Sequence, residues 1–135
     1  MEEKYSDRRR SYRRSLAVLR LSCGADPEAD FVLGATVQAY NLTFDLAWKV
    51  MKDIAVQEYG VTDFATGSPR ETLRTAFRLG IISDDRWMTM LQVRNTLIHD
   101  YDGAAARKYF TAITTEFYAL FMQLEAWLHA MASEE

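Results

Sequence analysis

The stretch "FVLGATVQAYNLTFDLAWKVMKDIAVQEYG" (Phe31–Gly60) decides the fold, because its large apolar residues recur every three or four positions. This period places them on one face of an α-helix, whereas a half-buried strand would alternate apolar and polar residues. Trp48 and Ala55 widen the face, as is typical of a central helix that meets more than one neighbour. The spacing predicts one long helix, closed by Gly60, with the core stripe Leu33, Val37, Tyr40, Phe44, Ala47, Met51 and Ile54.

The segment before this helix predicts another one over about residues 3–22, followed by a loop over residues 23–30. Its apolar side chains share one narrow arc edged by arginines: Tyr5, Tyr12, Leu16 and Leu19, beside Arg9, Arg13 and Arg20. The first 20 residues carry seven basic and three acidic side chains, a net charge of +4, which leaves −7 for the remainder. A basic end on an acidic body suits an anionic partner such as RNA or an acidic protein, although such a run is more often a solvated helix face.

Capping signals after residue 60 predict two further helix starts. Ser68 suits an N-cap, Pro69 suits the first helical position, and Glu71 completes a capping box. Gly80 ends this short helix. Ser83 is then predicted to cap a fourth helix.

The last predicted helix covers about residues 104–132. Its core stripe is Tyr109, Phe110, Ile113, Phe117, Leu120, Phe121, Leu124, Trp127, Leu128 and Met131. No segment shows strand-like alternation, so the sequence predicts an all-α antiparallel four-helix bundle with one additional short helix, as a single domain over residues 1–135. The wide aromatic faces also favour a homodimer.

The composition argues against several classes of protein. Cys23 is the only cysteine, so no intrachain disulfide is expected and a cytoplasmic location is predicted. One cysteine and two distant histidines make a zinc cluster unexpected, and we predict neither a metal nor a cofactor. No run of 18 apolar residues predicts a membrane span, and the polar N-terminus lacks the apolar centre of a signal peptide.

The stretch "VRNTLIHDYDG" (Val93–Gly103) raises the question of function, because a charged residue interrupts an apolar stripe. Arg94 lies where another leucine is expected in the stripe Trp87, Met90, Leu91, Leu97, Ile98 and Tyr101. A guanidinium among apolar groups is costly unless a partner or a ligand satisfies it. Asp45 is one candidate partner, and a histidine near a helix C-terminus can simply interact with the terminal carbonyls.

His99 and Asn95 share the neighbouring helical stripe, one turn apart. Asn95 can orient a phosphate or bond to His99, and both readings stay open. Arg94 and His99 are separated by about 140° on an ideal helix, so they can flank a cleft without touching along one face. Imidazole transfers protons near neutral pH, and guanidinium suits a phosphorane.

The segment "RNTLIHDYD" resembles the Arg-x4-His-x-Tyr motif of HEPN-domain proteins. Together with "AYNLTFDLAWKVMKD" and "RETLRTAFRLGII", it resembles the nucleotidyltransferase substrate-binding protein family over nearly the whole chain. The resemblance implies a four-helix bundle that dimerises with the motif helices, residues 86–101, at the two-fold axis. It also implies a small nucleotidyltransferase encoded nearby as a partner, often in a toxin–antitoxin pair.

In related toxins the motif's arginine and histidine belong to a metal-independent endoribonuclease, and its tyrosine is adenylylated by the partner. The resemblance therefore implies catalytic Arg94 and His99 and a modified Tyr101. It also points to substrate-orienting roles for Asn95, Asp45 and Asn41. Asn41 stands where the family carries acidic residues, and Ile98 stands where it carries a small hydroxyl residue. These departures leave open an alternative function, a non-catalytic subunit that binds a nucleotide and presents it to the transferase.

Overall fold

Regular structure in the described residues (3–64 and 66–133 of a computed structural model) is entirely helical, which confirms the all-α prediction. The first four segments correspond to the first four predicted helices, and the last three together cover the predicted helix over about residues 104–132. The elements are α1 (Glu3–Arg20), α2 (Val32–Tyr59), α3 (Pro69–Leu79), α4 (Arg86–Ile98), α5 (Ala104–Ala112), a π-helical segment (Ile113–Phe117) and α6 (Tyr118–Ser133).

Helix α2 lies at the centre and contacts α1, α3, α4 and α5. The predicted stripe is fully buried over most of its length, and its first two members, Leu33 and Val37, are only half-buried. Gly60 ends the helix in the left-handed conformation at φ 70°, a backbone geometry that costs a glycine little. The stripe therefore organises the core, as the sequence predicts.

Hydroxyl groups join α1 to α2 along one seam. Thr43 Oγ1 lies 3.1 Å from Ser15 Oγ, and Thr36 Oγ1 lies 2.7 Å from Ser22 Oγ. The two pairings run in opposite order along the chain, so the two helices are antiparallel. The predicted arc Tyr12, Leu16 and Leu19 is buried behind this seam. The side chain of Tyr5 lies outside the described residues.

Buried phenol groups link the helices through hydrogen bonds to main-chain carbonyls. The Tyr12 hydroxyl donates to the carbonyl of Phe121 at 2.7 Å, and the Tyr40 hydroxyl donates to that of Met90 at 2.8 Å. Burial raises the pKa of both phenols well above the ordinary value. Both groups therefore remain neutral donors, and each hydrogen bond offsets the cost of burying a polar group.

The start of α3 carries only half of the predicted capping box. Ser68 Oγ accepts from the Glu71 backbone N–H at 3.2 Å, as predicted. The Glu71 carboxylate accepts from the backbone N–H groups of Thr66 and Gly67. The Ser68 N–H donates to Thr66 Oγ1 instead. The carboxylate therefore reaches past the N-cap and fixes the preceding turn.

The predicted N-cap of α4 at Ser83 is wrong. The helix begins at Arg86, two residues later than this cap requires, and Ser83 is exposed. The Asp84 carboxylate accepts from the Arg86 backbone N–H at 2.9 Å and from its guanidinium. The side-chain hydrogen bond from Arg86 is the main cause that lowers the Asp84 pKa to about 2. A charged acceptor therefore replaces the predicted hydroxyl at this helix start.

The last predicted helix contains a π-helical turn that the sequence analysis did not anticipate. Thr115 Oγ1 donates to the Thr111 carbonyl at 2.6 Å, and Thr114 Oγ1 to the Phe110 carbonyl at 3.0 Å. Such bonds compete with the backbone ladder and accompany helix distortions. Phe117, at the end of the π turn, is buried with its ring stacked on that of Tyr40.

Candidate ligand-binding site between α2 and α4

The buried part of the α4 stripe ends at Leu97, just before the end of the helix. Trp87, Met90, Leu91 and Leu97 are buried, but Ile98 is 48% and Tyr101 92% exposed. The helix ends at Ile98, and His99 is its C-cap residue with φ −106° and ψ 18°. Ile98 is therefore less buried than its position in the predicted stripe implies, and Tyr101 lies past the end of the helix, where its phenol is accessible.

Arg94 forms an ion pair with Asp45, the partner that the sequence left open. Its Nη2 atom lies 2.9 Å from Asp45 Oδ1, and the two side chains are 23% and 31% exposed. Nη1 donates to Asn95 Oδ1 at 3.1 Å. The pair is therefore neither a surface pair nor a fully buried one, and solvent reaches part of the guanidinium.

Asn41, Asp45 and Trp48 lie at helical spacing on α2, so Asn41 and Trp48 share the face whose Asp45 contacts Arg94. Asn41 Oδ1 and Trp48 Nε1 are buried and have no hydrogen-bond partner among the described residues, and the same is true of Arg94 Nε. A buried polar atom without a partner costs about 1–3 kcal/mol. Three of the polar atoms with unmet bonding capacity therefore lie on Arg94 and on the face of α2 that contacts it.

Trp48 is a candidate site residue that the sequence analysis did not single out. Its apolar ring fits the widened core stripe, and it was assigned to packing for that reason. The signal that identifies it is the spacing from Asn41 to Asp45 to Trp48, which repeats every three to four residues. Only the contact between Asp45 and Arg94 shows that this face meets α4 rather than solvent.

His99 does not join the arginine cluster within one chain. The side chain is exposed, and no hydrogen bond or ion pair in the described part of the protein links it to Arg94. The Asn95 carboxamide accepts from Arg94, and the hydrogen bond from Asn95 to His99 that the sequence allowed does not form. The structure brings Asp45, Arg94 and Asn95 together and leaves His99 apart, with its imidazole in solvent.

Tyr101 lies in a short loop between two aspartates that cap α5. Asp100 accepts from the backbone N–H groups of residues 105 and 106 at 3.0 and 2.8 Å, and these bonds lower its pKa. Asp102 accepts from the N–H of residue 104 at 3.1 Å. Both flanking side chains turn toward the helix start, and the phenol between them remains in solvent.

The fold and this polar site define an all-α protein with a partly exposed Arg94–Asp45 pair between two helices. Over residues 7–130 the sequence matches the family described as "Nucleotidyltransferase substrate binding protein like", and the chain belongs to that family. The predicted family is therefore confirmed.

The fold is similar to that of a Thermus thermophilus protein of known crystal structure. The TM-score is 0.74 at 21% sequence identity, and the match covers 85% of this chain and 96% of that one. At this identity the likeness shows the fold alone. Comparison with curated proteins finds no match. In the described residues, no helix combines the length and the apolar character needed to cross a membrane.

Proposed function

We propose that this chain is the substrate-binding subunit of a separate nucleotidyltransferase and that it binds a nucleotide phosphate between α2 and α4. One observation carries the proposal: Arg94 lies part-buried against the face of α2 that Asn41 and Trp48 share with Asp45, and all three present buried polar atoms without partners. An anionic ligand with several acceptor oxygens supplies the charge that a guanidinium favours. The family description supports the same function.

Each neighbour of Arg94 has a distinct part in this proposal. Asp45 holds the guanidinium in place through Nη2, so less side-chain freedom is lost when a phosphate binds. Asn95 fixes Nη1, and Asn41 and Trp48 orient the ligand's hydroxyl or base groups. Small rotations of Arg94 and Trp48 open the covered polar atoms, because both side chains are partly exposed.

Binding of ATP, measured by isothermal titration calorimetry, tests the function. Arg94→Ala is expected to weaken ATP binding about 10- to 100-fold, because it removes a charge-assisted contact. Arg78→Ala is the matched control, since Arg78 is an exposed arginine on α3, and its affinity should equal that of the wild type. Equal ATP affinity in the wild type and Arg94→Ala would contradict the site.

A second candidate function is a metal-independent endoribonuclease, and the exposed imidazole of His99 favours it. Cleavage requires one group to deprotonate the 2′-hydroxyl and another to protonate the 5′-oxygen. Each chain offers one such histidine at the site, so the mechanism needs a homodimer with residues 86–101 of both copies around one RNA phosphate. In this version the chain is a HEPN-like four-helix bundle and the cytoplasmic toxin of a toxin–antitoxin pair.

The ribonuclease function predicts RNA cleavage that persists in EDTA and disappears in His99→Ala. His99 is exposed, so its replacement should leave the thermal melting curve unchanged. His129→Ala is the control, as the chain's only other histidine. A fluorogenic RNA assay provides the measurement. Equal cleavage by wild type and His99→Ala would remove this function without affecting the nucleotide-binding proposal.

Adenylylation of Tyr101 is the regulatory part of the second candidate. The phenol is 92% exposed between the two capping aspartates, so another protein's active site can reach it. An added nucleotide would place a phosphodiester charge beside the motif and compete with RNA for it. Intact mass after incubation with ATP, magnesium and the nucleotidyltransferase encoded nearby tests it. An AMP increment that persists in Tyr101→Phe would refute this residue's role.

A further inference from the structure

The outer face of α3 presents a row of arginines to solvent. Arg70, Arg74 and Arg78 are four residues apart, and all three side chains are exposed. On an ideal helix they share an arc of about 80° and rise about 6 Å at each step. Thr72 and Ala76, on the opposite side of the helix, are buried. The three residues therefore form a straight, exposed arginine row, backed by the core.

The charge of this arginine row is not neutralised by any described residue. The ion pairs of the described residues engage other arginines, namely Arg8, Arg10, Arg13, Arg86, Arg94 and Arg107. Glu71 is the only acidic residue of α3, and its carboxylate accepts from the backbone N–H groups of Thr66 and Gly67 in the preceding turn. The three guanidinium groups of the row therefore keep their donors for a partner outside the chain.

The arginine row is unfavourable for the stability of α3 itself. Like charges four residues apart on a helix repel each other, whereas opposite charges at this spacing attract. Arg70 also lies in the first turn, where the positive end of the helix dipole disfavours a cation. A local pattern that lowers stability and makes no contact within the chain is typical of a functional surface.

The surroundings of the arginine row favour a carboxylate partner over a nucleic acid. Arginine pairs with carboxylate and with phosphate through two parallel hydrogen bonds. Surfaces that bind single-stranded nucleic acid also stack its bases on exposed aromatic rings. The only aromatic residue of α3 is Phe77, which packs against the core. Acidic residues flank α3 in the chain, with Asp63 before it and Asp84 and Asp85 after it, so a polyanion longer than the row meets repulsion.

We propose that the arginine row of α3 docks an acidic helix of a partner protein, one whose carboxylates recur every four residues. Two helices that lie side by side have the same rise per residue, so each of the three arginines meets one carboxylate in a single register. The helix need be only about three turns long, which keeps it clear of the flanking aspartates. This surface uses no residue of the site between α2 and α4, and it depends on neither ATP binding nor RNA cleavage there.

Fluorescence anisotropy at low ionic strength tests the docking surface with a labelled helical peptide of repeating Glu-Ala-Ala-Ala units. The control peptide has the same composition, but its glutamates are distributed around the helix. We expect the repeating peptide to bind about fivefold more tightly than the control, because only its carboxylates match the spacing of the arginines. Arg74→Ala should weaken its binding about fivefold, since it removes the central contact. Arg20→Ala, at an exposed arginine on α1, is the matched variant and should keep the wild-type affinity.

Thermal melting and a labelled oligouridylate complete the test. Arg74 is exposed and has a like charge on either side, so Arg74→Ala should melt at the wild-type temperature or above it. A lower melting temperature would show that Arg74 stabilises α3, and it would overturn the proposal. So would a repeating peptide that fails to bind, that binds no better than the control peptide, or that still binds Arg74→Ala with wild-type affinity. An oligouridylate that binds more tightly than the repeating peptide, and is lost in Arg74→Ala, would assign the row to a nucleic acid instead.

Discussion

Among the polar contacts of helix α2 with its neighbours, two are built differently. Toward α1, Thr43 and Ser15 are neutral and buried, and their hydroxyls are hydrogen-bonded to each other. Toward α4, Asp45 and Arg94 are charged and remain about a quarter exposed. Of these four side chains, only those of the charged contact have buried polar atoms without a hydrogen-bond partner, among them Arg94 Nε. The first contact is complete within the chain, and the second has bonding capacity left for a ligand.

The difference follows from the cost of burying each kind of group. A neutral hydroxyl that finds a partner loses little on burial, so it can close a helix seam tightly. A charged pair loses far more hydration free energy on burial. Its mutual attraction offsets this loss only when all of its donors and acceptors have hydrogen-bond partners. A charged pair that leaves polar atoms without hydrogen-bond partners is therefore weak evidence for a stabilising role and better evidence for a binding role.

Breaking the charged contact from one side should have the largest effect on stability. Asp45→Leu leaves Arg94 part-buried without its counter-charge, and we expect a loss of about 1–3 kcal/mol, reduced from the fully buried case by partial exposure. Asp45→Leu/Arg94→Leu should recover most of that loss, because no unpaired charge remains. Urea denaturation of both variants measures the difference.

The double variant also sharpens the comparison, because it separates stability from binding. It should fold nearly as well as the wild type and still fail to bind ATP. If Asp45→Leu has no effect on stability, the pair is a surface contact and the site lacks its proposed rigidity. If the double variant is less stable than either single one, the contact is structural and resembles the seam.

Periodicity predicts the core of this fold well, since the buried stripes of α2 and the last helix depend only on residue spacing. It fails where side chains compete with the backbone. Asp84 displaces Ser83 at the start of α4, and Thr114 and Thr115 accompany a π turn inside a continuous apolar pattern. Such local hydrogen bonds have no periodic signature in the sequence.

The charged pair of the candidate site was predictable in its residues but not in its geometry. Arg94 is conspicuous because it interrupts an apolar stripe, and Asp45 is the acidic residue offered as its partner. The role of Trp48 depends on which face of α2 meets α4, which is a tertiary property. His99 occupies the histidine position of the motif. The helix ends at Ile98, however, and the His99 side chain lies in solvent.

Removing the neutral contact should have the smallest effect and should leave binding untouched. Thr43→Val keeps the side-chain shape and removes one hydroxyl, and Ser15 Oγ retains its bond to the Tyr12 carbonyl at 2.9 Å. We therefore expect a loss of about 1 kcal/mol, and little further loss in Thr43→Val/Ser15→Ala, where both partners are gone. ATP affinity, measured by the same calorimetry, should match that of the wild type, because the seam and the α4 contact lie on different sides of α2. Independent sites give additive effects, so Thr43→Val combined with Arg94→Ala should show the sum of the two single changes in stability. A changed ATP affinity in Thr43→Val would mean that the seam positions the ligand site, and the distinction between the two contacts would fail.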